Sequence, residues 1–219
     1  IIEFGGGYNI SDITYYLTQL GITTTPKIVN VSVSDGNTIG SNNPSDTASS
    51  VEVVLDIEIV CAIVPNANIR VYFAPNTNGG MYYAYYDAIV RDKCDIVSTS
   101  WGAYEYEFTS SGLTSLLNSI SGILNSNSTV IAAAGDNGST GDLSSITSLP
   151  KPIPQYNVLF PASSPYVLAC GGTKVISSDG INFGDEIVWN NGIVNGNDYA
   201  TGGGVSKTFT SPLYQSILS

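Results

Sequence analysis

A chain of 219 residues with 42% hydrophobic content has enough apolar side chain for one well-buried core and too little length for two comfortable ones, so a single domain over 1–219 is expected. Eighteen acidic residues against seven basic ones leave a net charge of −11, which argues against nucleic acid or an anionic membrane face as a partner. The chain has no histidine, which excludes a Ser-His-Asp triad, a Cys-His dyad and imidazole-based zinc sites, so any proton shuttle must be a carboxylate, Lys, Tyr or thiol.

In chain order, residues 1–4 read as a strand that runs into Gly5, Gly6 and Gly7. Residues 11–20 carry Ile13, Tyr16, Leu17 and Leu20 at helical spacing, with Gly21 placed to end the helix. A strand over 27–33 gives way to a Gly, Asn and Ser loop over 34–45, and the apolar run 51–64 is long enough for a helix. Then follow a strand at 68–73, a helix at 81–90, a strand at 95–98, a helix at 113–124 and a strand at 129–134. Alternation of this kind predicts an α/β fold with a mostly parallel sheet covered on both faces. Pro150, Pro152, Pro154 and Pro161 break up the next stretch before an apolar strand at 166–170. Cys61, Cys94 and Cys170 are widely separated and odd in number, so they read as buried free thiols and not as a disulfide framework or metal cluster. No run approaches the ~20 apolar residues of a membrane span, and no membrane is expected as a partner.

Three places could carry chemistry. Glu52 and Asp56 stand four apart, hence on one face of a helix, where two like charges would come to share a proton if partly buried. Glu52 also closes a Ser49-x-x-Glu52 capping box, a purely structural alternative. Asp136 follows the strand Ile131-Ala-Ala-Ala and is flanked by Gly135 and Gly138, in a setting that also suits an ordinary turn. Ser100-Trp101-Gly102 ends another strand, with a packing role for Trp101 as the plain reading.

Several stretches resemble the sedolisins, or serine-carboxyl peptidases, and within them the kumamolisin branch. They are Ile1-Ile-Glu-Phe-Gly-Gly-Gly-Tyr8, Glu52-Val-Val-Leu-Asp56, Ser100-Trp-Gly102, Ala132-Ala-Ala-Gly-Asp136, the run from Phe160 to Thr173, and Thr201-Gly-Gly-Gly-Val-Ser206. They occur in the family's order and cover essentially the whole chain. The resemblance implies a subtilisin-like three-layer α/β fold and an endopeptidase acting at acid pH with a Ser-Glu-Asp triad. In that scheme Glu52 matches the general base, Asp56 the acid that orients it, and Asp136 the oxyanion-hole aspartate. Glu3 and Trp101 match positions that extend the carboxylate network, and Ser100, Trp101 and Gly102 match the strand that pairs with substrate backbone.

One departure is large. The family's nucleophile sits in a Gly-Thr-Ser-Ala type motif downstream of the Thr-Gly-Gly-Gly-Val-Ser stretch, followed by a calcium site, and this sequence stops at Ser219 before either. Gly171-Gly-Thr-Lys174 is no substitute, since lysine stands where serine is needed. The chain is therefore expected to be truncated at its C-terminus, to hold no cofactor itself, and to be inactive alone. The alternative is a non-catalytic pseudopeptidase, a binding or structural protein in an oligomer or assembly that covers the truncated edge. A polypeptide is the expected substrate or partner, and an extracellular or acidic compartment the expected location. A pepsin-like aspartic peptidase is disfavoured because no Asp-Thr-Gly or Asp-Ser-Gly occurs.

Overall fold

The computed structural model describes residues 1–107, 112–139, 157–194 and 197–218. These fall into two compact units, one made of Ile1–Trp101 and Thr114–Val130, the other of Gly102–Leu113 and Ile131–Ser219. The proline-punctuated stretch 150–154 lies outside the described residues.

The first unit is built on parallel strands joined by helical crossovers. Ile2–Glu3 (β1) leads to the helix Ile10–Gln19 (α1), then Lys27–Ser32 (β2), the long helix Thr47–Ile63 (α2) and Asn68–Phe73 (β3). β3 lies between β2 and β1, with Ile28 opposite Ile69 and Ile2 opposite Tyr72, both pairings parallel. Parallel neighbours need a long connection, and α1 and α2 supply them. Ile13 and Leu17 of α1, and Val53, Ile57 and Cys61 of α2, fall at helical spacing and pack with Tyr8 and with Ile69, Val71 and Phe73 of β3. Of the α1 residues at helical spacing, Ile13 and Leu17 are buried, Tyr16 is half-buried and Leu20 is exposed. α1 ends as expected, with Ile22 N–H donating to the Leu17 carbonyl at 2.9 Å and Gly21 N–H to that of Thr18 at 3.0 Å.

Two expectations need correction here. The start of α2 is capped not by Ser49 but by Asp46, whose carboxylate accepts from Ser49 N–H at 3.4 Å. Ser49 lies inside the helix, so Glu52 is not the glutamate of a capping box. The helix expected over 81–90 begins earlier, as Asn78–Tyr85 (α3), capped by the Thr77 hydroxyl at 2.9 Å from Gly80 N–H, and its last stretch Tyr86–Arg91 is wound as a π-helix. Ile96–Thr99 (β4) and most of Gly112–Leu124 (α4) complete this unit. α2 also carries an apolar stripe on an outer flank, where Val51, Leu55, Ile59 and Ile63 are all exposed.

In the second unit Ala103–Tyr104 (β5) pairs antiparallel with Leu159–Phe160 (β7), and Ile131 to Ala133 of Thr129–Ala133 (β6) run parallel to Leu168–Cys170 (β8). Two antiparallel hairpins follow, Thr173–Ile176 (β9) with Asp185–Val188 (β10), and Asn190–Val194 (β11) with Asn197–Ala200 (β12). The thiol reading holds for Cys61, which is buried. Cys94 is half-buried and Cys170 is exposed, as are the other two residues of the short strand β8.

Candidate active site

The carboxylates of the first unit are brought together by close packing of β1 against the start of α2. Gly6 has φ +70, and a Cβ there would stand 2.5 Å from the Ser49 carbonyl carbon, so only glycine lets the chain pass. Gly6 N–H donates to Asp46 at 3.0 Å and Gly7 N–H to the Ser50 hydroxyl at 3.1 Å. The same aspartate thus caps α2 and ties the helix to the end of β1. With Val53 and Ile57 turned into the core, Glu52 and Asp56 are left half-buried on the flank of α2, one turn apart.

Glu3, at the end of β1, is wholly buried. The indole Nε1 of Trp101 donates to its Oε2 at 2.7 Å, while no donor reaches Oε1. Burial pushes the Glu3 carboxyl up to about 8, against the Trp101 hydrogen bond and with help from the nearby Asp56 and Glu52 charges. A proton on Glu3 answers the unpaired oxygen, and the hydrogen bond it gives to Asp56 favours the ionised form of Asp56. Asp56 is raised to about 6, first by burial and then by the charge of Glu52 on the next turn, although the Ser100 hydroxyl opposes this. That hydroxyl lies 2.9 and 3.1 Å from the two Asp56 oxygens. The Trp101 ring is also held edge-on to Phe4, centroids 6.3 Å apart.

Of the residues singled out in the sequence, the structure therefore gathers Glu3, Glu52, Asp56, Ser100 and Trp101 in one cluster. Thr99 was not among them. It is buried, its hydroxyl donates to the Ile2 carbonyl at 3.3 Å and accepts from Trp101 N–H at 3.2 Å. A threonine before Ser-Trp-Gly is a faint signal, and only the fold gives it meaning.

Asp136 belongs to the second unit, where its side chain is exposed just beyond β6. Its turn is fastened by Ala200 N–H, which donates to the Asp136 carbonyl at 2.8 Å, and by Gly202 N–H, which donates to that of Gly135 at 2.6 Å. A Cβ on Gly202 would stand 1.9 Å from the Ala134 carbonyl oxygen, so the Thr-Gly-Gly-Gly stretch is glycine-rich where it presses on this turn. Gly102 lies in this unit too, ahead of β5, and has the Phe160 carbonyl where a Cβ would go, at 2.9 Å. Among the described residues no group of three or more His, Cys, Asp or Glu is arranged to hold a metal ion. Nor is any described helix long and apolar enough to cross a membrane.

The profile of the subtilase family matches residues 37–210. Kumamolisin from Bacillus sp. (strain MN-32) is 40% identical over 218 residues, 98% of this chain and 37% of that protein. Sedolisin from Pseudomonas sp. (strain 101) is 45% identical over 65 residues, 29% of this chain and 11% of that protein. The solved structure of Pseudomonas sedolisin, a serine-carboxyl proteinase complexed with two molecules of pseudo-iodotyrostatin, superposes with a TM-score of 0.81 at 24% identity, over 100% of this chain and 60% of that one. The fold is thus the subtilisin-like α/β fold, and the chain spans 37% of kumamolisin and 60% of the sedolisin chain, less than two thirds of either. With a family profile over most of its length and near-complete coverage by a sedolisin-type relative, this chain belongs to the subtilase family, in its sedolisin group.

Proposed function

We propose that these residues form the carboxylate-bearing part of a serine-carboxyl endopeptidase domain that cleaves polypeptides at acid pH. Glu52 is the general base that takes the proton of a serine nucleophile, and Asp56 is the acid that orients it. Asp136 donates a hydrogen bond to the developing oxyanion, which requires its carboxyl to be protonated. The observation that carries this reading is the Asp56 carboxyl, flanked by Glu52, Ser100 and Glu3 and raised to about 6. Below that value Asp56 holds a proton that it can share with the neighbouring Glu52 carboxylate and so orient it. Glu3 and Trp101 back this arrangement from the buried side. Ser100 and Gly102 flank the strand end assigned to substrate backbone.

The nucleophile and any calcium site belong, on this reading, to residues other than these 219, and the working enzyme acts in an extracellular or acidic compartment. The test is turnover of a denatured protein at about pH 4, where a carboxylate base works, by the longest natural form of the protein. Cleavage that is lost in Glu52→Gln is expected. Absence of cleavage by a correctly folded natural form overturns the reading in favour of a non-catalytic relative that binds protein in an assembly.

A further inference from the structure

Consecutive residues of an extended strand point to opposite faces of a sheet. Ser100 and Trp101 are consecutive, yet both reach one carboxylate cluster, Ser100 bonding Asp56 and Trp101 bonding Glu3. The change of course happens at Thr99, the last residue of β4. Trp101 N–H turns back to the Thr99 hydroxyl, closing a short side-chain-to-backbone turn that takes the chain out of the strand. The same hydroxyl donates to the carbonyl of Ile2, the residue before Glu3. One buried oxygen therefore ties together the two backbones that meet at the Trp101–Glu3 hydrogen bond. Thr99 itself is almost wholly buried, so bulk water does not reach this contact freely.

We propose that Thr99 is a positioning residue of the carboxylate network, whose hydroxyl holds the turn that aims Ser100 at Asp56 and Trp101 at Glu3. It touches no reacting group and acts through those two side chains. Its consequence for turnover rests on the peptidase reading above, but its geometry does not.

The test uses the intrinsic fluorescence of Trp101 in a Trp189→Phe background, followed against pH. Glu3 is faced by Trp101, by Asp56 and Glu52 of α2, and by the Ile1 amino group, and the Trp101 emission titrates with Glu3, near pH 8. Thr99→Val keeps the shape and removes the hydroxyl. Freeing the indole removes a hydrogen bond that holds Glu3 down, so the midpoint moves upward by about one unit. Thr99→Ser keeps the hydroxyl and the original midpoint. A Thr99→Val midpoint equal to that of the parent, or a Thr99→Ser midpoint displaced like that of Thr99→Val, overturns the proposal. If Thr99→Val does not fold, the hydrogen-bonded Trp101 indole resonance in Thr99→Ser decides, its retention supporting the assignment and its loss ending it. No peptide is turned over, so failure here and failure of the endopeptidase reading are separate results.

Discussion

Glu3 ionises near pH 8 because burial strips its charge of water and Trp101 offers only one hydrogen bond in return. A carboxyl whose folded value lies above its unfolded one stabilises the fold below the unfolded value, and the benefit is lost as pH rises through the folded one. The window is therefore from about 4.5 to about 8, and the contribution lost is on the order of 5 kcal/mol at most. Glu3→Gln keeps an acceptor for Trp101, supplies an N–H toward Asp56 and cannot ionise. Its melting temperature is expected to fall less than the parent's across that window, with the remaining fall belonging to Asp56, which is itself raised to about 6; parallel curves would show that Glu3 does not carry the effect. At this scale the sequence made one pair legible on physical grounds, because Glu52 and Asp56 share a helix and four residues is one turn. The Glu3–Trp101 bond joins residues 98 apart, which no local pattern encodes, and only family resemblance brought Glu3 forward. Ser100 came forward by resemblance for its backbone, and the bond from its hydroxyl to Asp56, 44 residues away, is likewise beyond any local pattern.

The element that positions the pair is α2, and its docking depends on a backbone approach at Gly6. Alanine there combines a left-handed backbone with a Cβ 2.5 Å from the Ser49 carbonyl carbon, so Gly6→Ala is expected to cost well over about 1 kcal/mol and lower the urea midpoint. Because the strain falls on the first turn of α2, the variant should also shift the Asp56 titration, read by carboxyl chemical shifts; an unchanged titration with reduced stability would separate docking from the electrostatics. Helices and parallel strands were legible because burial on one face imposes a period. The cap of α2 was not, since Asp46 and Ser49 are both competent caps three residues apart, and what selects Asp46 is a hydrogen bond from Gly6, 40 residues away. The β9–β10 and β11–β12 hairpins escaped for a different reason. Every residue of β9 and β10 is exposed, so no inside-outside alternation marks them.

At the scale of the molecule, the carboxylates and the nucleophile need not be carried by the same stretch of chain. These 219 residues contain no Gly-Thr-Ser-Ala motif, and α2 presents Val51, Leu55, Ile59 and Ile63 to solvent along the turns that carry Glu52 and Asp56. An apolar stripe of that length beside a proton network is a surface that further polypeptide would cover at a gain, since each exposed aliphatic side chain buried returns about 1.5–3 kcal/mol. The 219-residue chain alone is therefore expected to release no peptide from a denatured protein at about pH 4, because removal of a serine nucleophile lowers turnover on the order of a million-fold. In the longest natural form, Glu52→Gln should lower kcat at least about 100-fold with little change in KM, the mark of a group that acts on the proton and not on substrate binding. Cleavage by the 219-residue chain, abolished in Ser206→Ala or Ser139→Ala, would place the nucleophile inside it and overturn this division of labour. Cleavage by the natural form that survives Glu52→Gln would remove Glu52 as the base.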